Sequence, residues 1–113
     1  MTDGFVAVTW VVEHAKITRY LLDLSHKEGG SKAKYLLALG FTPDDPETLA
    51  SALVRHALAH MPGRHVDPPI GLRRVIFEGE TETPDGRSLS IRAVWELTTL
   101  TEIRLITVVP LTK

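Results

Sequence analysis

Residues 75–95 read VIFEGETETPDGRSLSIRAVW, and this stretch decides the fold. Apolar and polar side chains alternate on both sides of the central segment TPDGR, a pattern typical of two half-buried strands. Pro84, Asp85 and Gly86 suit a three-residue hairpin loop, with a type I turn followed by a left-handed glycine. We therefore expect a hairpin whose loop closes between Thr83 and Arg87.

The loop length fixes the register of the hairpin. It places every apolar partner on one face, whereas a slip of one residue would set glutamates beside core side chains. The alternation continues in a third strand, Ile103 to Val109, reached through residues 98–102. The expected pairs are Val75 with Trp95, Phe77 with Ala93, Glu78 with Arg92, Leu97 with Ile103, Trp95 with Leu105, and Glu96 with Arg104.

Helical spacing dominates the residues before the hairpin. Apolar positions in residues 15–24 share one helical face, a second helix starts at a Ser31 cap and ends at Gly40, and a third runs from Pro46 to about Met61. Residues 5–12 suggest a short buried strand at a sheet edge, with a helix as the alternative for so short an apolar run, and residues 62–71 suggest a loop. The predicted fold class is α+β, with N-terminal helices followed by a three- to four-stranded antiparallel β-meander.

Composition limits the class of protein. The 113 residues contain 43% hydrophobic residues and no cysteine, which predicts one domain, residues 1–113, without disulfides or thiolate metal sites. Without a signal peptide or an apolar spanning segment, we expect a cytoplasmic protein that does not associate with membranes. The net charge of −1 argues against nucleic-acid binding through overall charge, although residues 15–34 are locally basic.

The candidate site begins at residues 26–34, which read HKEGGSKAK. The amides of Gly29, Gly30 and Ser31 precede a helix, where unpaired N–H groups and the helix dipole attract anions. Lys32 and Lys34 add positive charge, and His26 has the side chain best suited to proton transfer near neutral pH. An ordinary turn before a helix has the same pattern, so phosphate binding is one of two interpretations.

Other motifs are absent or incomplete. The glycines match neither a nucleotide P-loop nor a dinucleotide fingerprint, and there is no nucleophile elbow, so we expect no cofactor. His56 and His60 lie four residues apart, followed by His65, but the glutamate of helical zinc motifs is missing. We therefore predict no metal site.

The polar face of the middle strand carries Arg92 and Glu96. They form either a ladder of cross-strand ion pairs or a surface that holds an RNA backbone, with Arg92 as the oxyanion stabiliser. The apolar residues of the same face require cover from the helices, a second copy of the chain in a homodimer, or a partner protein.

Several motifs resemble a family of small bacterial proteins that also occur as C-terminal modules of polymorphic toxins. They are KIT-x-YLL-x-x-x-H-x-x-GG-x-KAK at residues 16–34, LGF at 39–41, PDGR at 84–87, RAVW at 92–95 and T-x-x-P at 107–110. The layout also resembles that of the barnase/EndoU/colicin/RelE-like ribonuclease toxins. The resemblance implies RNA cleavage and a neutralising immunity or antitoxin protein. The polar residues that it carries over are His26, Lys32, Lys34, Arg92 and Thr107.

Two hypotheses follow. In the first, the protein is a metal-independent endoribonuclease toxin of a bacterial toxin–antitoxin pair that acts on tRNA or mRNA. His26 is then the general base or acid, Lys32 with the amides of 29–31 the phosphate cradle, and Arg92 the oxyanion stabiliser. In the second, the protein is a non-catalytic interaction module that binds a partner protein through its sheet face.

Overall fold

The computed structural model describes residues 8–27 and 30–111. Its strands and helices are β1 Thr9–Val11, α1 His14–Lys16, which continues directly into a π-helical turn Ile17–Leu21, α2 Gly30–Ala38, α3 Pro46–Ala59, β2 Arg64–Val66, β3 Arg74–Glu82, β4 Ser88–Leu97 and β5 Glu102–Pro110. Residues 5–7 of the expected N-terminal strand and Gly29 of the expected phosphate cradle lie outside the described residues.

The described strands form one mixed sheet of five strands in the order β1-β5-β4-β3-β2. β1 runs parallel to β5, and the other neighbours are antiparallel. The expectation of a three- to four-stranded antiparallel meander was therefore wrong, although the three helices precede most of the sheet as expected.

Two features of the sheet were not expected: the parallel direction of β1, whose strand was expected within residues 5–12, and the presence of β2. β1 and β2 each have three residues, too few for alternation to show. The β2 segment lies in what the sequence suggested was loop. The parallel direction of β1 depends on its long connection to the rest of the sheet, and that connection contains all three helices.

The register of the central strands agrees with the expected one. Val75 lies opposite Trp95, and Trp95 lies opposite Leu105 on the next strand. The hairpin closes where expected, since the Thr83 amide donates to the Arg87 carbonyl at 3.1 Å. Gly86 has a φ of +87°, the left-handed conformation that the loop requires.

Strand β5 contains a bulge that the alternation did not reveal. Leu105 pairs with Trp95 and Thr107 pairs with Val94, so Ile106 is an extra residue between two consecutive pairs. The buried residues Leu105 and Val108 are accordingly three apart rather than two. A bulge bends the strand and redirects the neighbouring side chains.

The core lies between the helices and one face of the sheet. Trp95 and Phe77 are its largest fully buried side chains, and Trp10 of β1 packs edge-on against Trp95 with ring centroids 5.0 Å apart. The hairpin loop also anchors α2, because the Asp85 amide donates to the Leu39 carbonyl at 3.2 Å. This contact fixes the helix that carries Lys32 relative to the sheet.

Candidate active site

An open cleft of about 580 Å³ lies between the N-terminal helices and strand β5. We call it the basic cleft, and the residues that line it are Glu13, Ala15, Lys16, Tyr20, His26, Lys32, Ile106 and Thr107. The segment of β5 at the cleft lies beyond Arg104, the last β5 residue paired with β1. Thr107 is therefore reached by side chains from the helices rather than covered by β1.

Three polar atoms form a closed triangle in this cleft. The Lys32 Nζ donates to the Tyr20 hydroxyl at 2.7 Å and to the Thr107 Oγ1 at 2.8 Å. The two hydroxyl oxygens are themselves 3.1 Å apart and share a hydrogen bond. The triangle joins the π-helical turn, α2 and β5, so the tertiary fold creates it.

Basic side chains surround the ring of Tyr20 in the cleft. The ring of His26 packs edge-on against its ring, with centroids 4.8 Å apart and planes at 81°. The Nζ atoms of Lys32 and Lys16 lie 5.0 Å and 5.4 Å from the Tyr20 ring centroid, within range for cation–π attraction. Three basic side chains therefore surround one phenol.

The cleft shifts the ionisation of Tyr20. Burial raises the pKa of the phenol, but hydrogen bonds from Lys32 and Thr107 and the positive charges of Lys32 and Lys16 together outweigh burial and lower it. The environment thus favours negative charge on an oxygen at this point. An anionic oxygen of a ligand would experience the same field.

Local irregularities bring the cleft residues together. Tyr20 lies on a π-helical turn, a rare conformation that occurs often at functional sites, and Thr107 directly follows the bulged Ile106. Gly30, at the start of α2, packs so closely on the Leu24 carbonyl that a Cβ would lie 2.6 Å from its oxygen. A glycine is therefore required at position 30.

The structure brings together three of the residues that the sequence singled out, since His26, Lys32 and Thr107 all line the basic cleft. Arg92 instead pairs with Glu78 at 3.2 Å and is not among the lining residues.

The remaining candidates lie in the segment around the start of α2. The Gly30 amide donates to the His26 carbonyl at 2.9 Å. Ser31 lies in the first turn of α2, and Lys34 is exposed on the same helix.

Tyr20 and Lys16 are site residues that sequence reasoning missed. Tyr20 fits the apolar face of the first helix, so its spacing suggested a core position. A signal was nevertheless present, because both residues belong to the same motif as His26 and Lys32. A phenol next to a cluster of basic residues is a candidate polar partner as well as core material.

His56 of α3 and His60, which directly follows the helix, have partners on the sheet. The Nε2 atoms of His56 and His60 lie 3.1 Å and 3.0 Å from the carbonyl oxygens of Gly79 and Glu80 on β3. Within residues 8–27 and 30–111, no group of three or more histidine or acidic side chains is arranged to hold a metal ion. This pair joins α3 to the sheet.

The fold and the cleft define an α+β protein with helices packed on a mixed sheet and a basic cleft beside β5. One chain of the solved structure "Contact-dependent growth inhibition toxin - immunity protein complex from Klebsiella pneumoniae 342" has a similar fold, with a TM-score of 0.70 over 89% of this chain and 99% of that chain. The two are 16% identical, so the likeness shows a shared fold.

The chain belongs to the family described as Domain of unknown function (DUF6883), whose model matches residues 7–112. Among curated proteins, none matches the sequence. In the described part of the chain, the helices are too short or too polar to cross a membrane.

Proposed function

We propose that this protein is a metal-independent endoribonuclease toxin that cleaves RNA by acid–base catalysis. The observation that carries the proposal is the convergence of His26, Lys32 and Thr107 on one open cleft, where Lys32 Nζ lies 2.8 Å from Thr107 Oγ1. His26 and Lys32 come from one stretch of the sequence, and Thr107 lies 75 residues after Lys32. A proton-transfer group and a fixed cation are the groups that RNA cleavage without a metal uses, and the hydroxyl adds a hydrogen-bonding group beside them.

The chemistry uses the 2′-hydroxyl of the substrate as nucleophile. His26 acts as the general base or acid. As base, it takes the 2′-hydroxyl proton while the 2′-oxygen bonds to phosphorus, and the bond from phosphorus to the 5′-oxygen breaks. Water or a second cleft group then protonates the leaving oxygen. The products are a 2′,3′-cyclic phosphate and a free 5′-hydroxyl.

Lys32 takes the role of oxyanion stabiliser in this proposal. Its ammonium is held by two hydroxyl acceptors in the cleft, so it offers positive charge in a fixed position as charge develops on the phosphorane. The sequence put forward Arg92 for this role, but Arg92 contacts Glu78 and does not line the cleft. Because the Gly30 amide already donates to the His26 carbonyl, we propose that Lys34 and the Ser31 amide contact flanking RNA phosphates.

The fold likeness supports a proposal about the partner. The similar solved structure contains a toxin and its immunity protein, so the shared fold is compatible with either member of such a pair. The basic cleft favours the toxin, since a cluster of lysine and histidine around one phenol suits a phosphodiester better than a passive binding face. We propose that a small immunity or antitoxin protein neutralises this chain and that its target is cytoplasmic tRNA or mRNA.

The test is cleavage of RNA by purified protein in the presence of EDTA. We expect tRNA or mRNA to be cut to fragments with 2′,3′-cyclic phosphate ends, and an all-deoxy oligonucleotide to stay intact. His26→Gln and Lys32→Gln should each lower the rate about 100-fold or more. Arg19→Gln is the matched control, because Arg19 is exposed on the same turn as Tyr20 and its loss removes one positive charge outside the cleft lining. Absence of cleavage, or cleavage unchanged in both cleft variants, contradicts the proposal.

A second candidate is a non-catalytic module that binds a partner through the sheet. Ile76 and Val94 are paired neighbours, half-buried, on the face that also carries Arg92 and Glu78. If Val94→Lys abolishes binding of a partner protein while RNA stays uncut by the wild type, this second function replaces the first.

A further inference from the structure

The hydrogen bonds of the triangle can be counted proton by proton. The Lys32 ammonium has three protons and each hydroxyl has one. Two ammonium protons go to the Tyr20 and Thr107 oxygens, and one hydroxyl proton lies between those oxygens, which are 3.1 Å apart. One ammonium proton and one hydroxyl proton are left over for the cleft.

The acidity of the two hydroxyls indicates which one donates to the other. The hydroxyl that accepts keeps its own proton for the cleft. A phenol, with a pKa of about 10, is a far stronger acid than an alkyl alcohol and therefore the better donor. The environment of Tyr20 lowers the pKa of this phenol further: burial opposes that shift, but Lys32, Thr107 and Lys16 outweigh it. Either hydroxyl could donate in this bond, and the acidity of the phenol favours donation from Tyr20 to Thr107.

This arrangement leaves Thr107 with a single function. Its oxygen accepts from both Lys32 and Tyr20, which occupies the two lone pairs of a hydroxyl. The Thr107 hydroxyl can then only donate. A group that can only donate selects ligands that accept.

We propose that Tyr20 is a positioning residue that holds the Thr107 hydroxyl as a donor, so that Thr107 and Lys32 together bind an oxyanion of the phosphoryl class. The inference rests on the proposed function in one respect, namely that the natural ligand is an RNA phosphate. The donor count and the charge of the cleft support phosphoryl binding without that identity.

The rest of the cleft agrees with an anionic ligand. Lys16 is the last residue of α1, and its Nζ lies 5.4 Å from the Tyr20 ring centroid. The acid that lines the cleft, Glu13, pairs with Arg104 at 3.3 Å, so its charge is compensated. An oxyanion therefore meets lysines and a donor hydroxyl without an uncompensated carboxylate among the lining residues.

The experiment measures the affinity of inorganic phosphate by calorimetry at neutral pH for the wild type, Tyr20→Phe, Thr107→Val and the double variant. We expect Thr107→Val to weaken binding about tenfold, as for loss of a hydrogen bond to a charged group. Tyr20→Phe keeps the ring but releases Thr107, and it should weaken binding severalfold. The double variant should lose clearly less than the product of the two single effects, because Tyr20 acts through Thr107.

Two further variants separate positioning from general structural damage. Thr107→Ser keeps the hydroxyl and should restore most of the affinity that Thr107→Val loses, and Arg19→Gln, outside the cleft lining, should bind phosphate as the wild type does. Thermal unfolding of all variants checks that the fold persists.

Each outcome decides the matter. Coupled losses with retention in Thr107→Ser support the inference even if RNA is never cleaved, in which case only the proposed function fails. Wild-type affinity in Tyr20→Phe, independent losses in the double variant, or no phosphate binding by the wild type overturns it. If the protein cleaves RNA but Tyr20→Phe and Thr107→Val lower phosphate affinity independently, the proposed function stands and the positioning role of Tyr20 is wrong.

Discussion

The Lys32 ammonium of α2 donates a 2.8 Å hydrogen bond to the Thr107 hydroxyl of β5, 75 residues further along the chain. The two side chains meet only if α2 is docked against the sheet. At its other end α2 is held by the hairpin loop, where the Asp85 amide and the Arg87 guanidinium donate to the carbonyls of Leu39 and Ala38 at 3.2 Å and 3.1 Å. The geometry of the cleft therefore depends on contacts made about a helix length away.

Gly40→Ala tests this dependence. Gly40 has a φ of +102°, and a Cβ there would lie 3.0 Å from the Pro84 Cβ and 3.3 Å from the Asp85 amide nitrogen. The variant should lose about 1–3 kcal/mol of unfolding free energy from backbone strain alone. Urea unfolding measures the loss, and phosphate affinity should fall although no cleft residue has changed. Gly71→Ala is the control, since Gly71 also has a positive φ but open space around it. Equal phosphate affinity in the two variants would contradict the link between the loop and the cleft.

The ionisation of Tyr20 can be followed by absorbance. Because the pKa of Tyr20 is lowered, the difference spectrum between wild type and Tyr20→Phe should show phenolate formation below the ordinary midpoint of about pH 10. Burial works against this shift, and Lys32 supplies both a hydrogen bond and a charge that favour it. In a Lys32→Met background the same difference should therefore move to higher pH. A midpoint unaffected by Lys32→Met would show that the ammonium does not hold the phenol. The second tyrosine, Tyr35, is present in both proteins and cancels in the difference.

His56 makes stability depend on pH. Burial lowers the pKa of His56, reinforced by the neighbouring His60 and opposed by the hydrogen bond to the Gly79 carbonyl. A carbonyl only accepts, so Nε2 carries the proton, and a second proton on Nδ1 would be buried without a partner among the described residues. The neutral form is favoured in the folded state.

The lowered pKa of His56 in the folded state makes the protein less stable at acidic pH than at neutral pH. Above the ordinary histidine pKa of about 6.5, His56 is neutral in both the folded and the unfolded chain, and the stability that it contributes is fully present. As the pH falls below that value, the unfolded chain binds a proton that the folded chain resists, so stability falls. Urea unfolding at about pH 7.5 and about pH 5.5 should show a smaller loss in His56→Gln than in the wild type. His65→Gln, at an exposed position, should lose as much as the wild type.

The sequence predicted the centre of the sheet because its side chains face in alternate directions over long strands with a defined loop. The register around Trp95 and Leu105 follows from that pattern, and so do the three helices. The pairing of the two edge strands could not be predicted in this way. β1 and β2 each have three residues, and their pairing depends on where the helices return the chain, which is tertiary information.

The cleft was predictable only in part for the same reason. His26 and Lys32 are close in sequence and share a recognisable chemistry. Tyr20 looked like a core residue because its spacing is helical, and nothing local indicates that its hydroxyl meets Thr107. The bulge at Ile106 was invisible as well, because it is defined by the partner strand and not by β5 itself.

Deleting Ile106 tests whether the bulge aims Thr107. Removing this extra residue restores regular pairing, with Leu105 opposite Trp95, Thr107 opposite Val94 and Val108 opposite Ala93. The buried side chains keep their partners, so the variant should fold with a loss of about 1–3 kcal/mol in unfolding free energy. Thr107 then loses the local bend that directs it to Lys32. Phosphate affinity should drop at least as far as in Thr107→Val, whereas Ile106→Ala, which trims the side chain and keeps the bulge, should retain most of it. Wild-type affinity in the deletion variant would show that Thr107 reaches the cleft without the bulge.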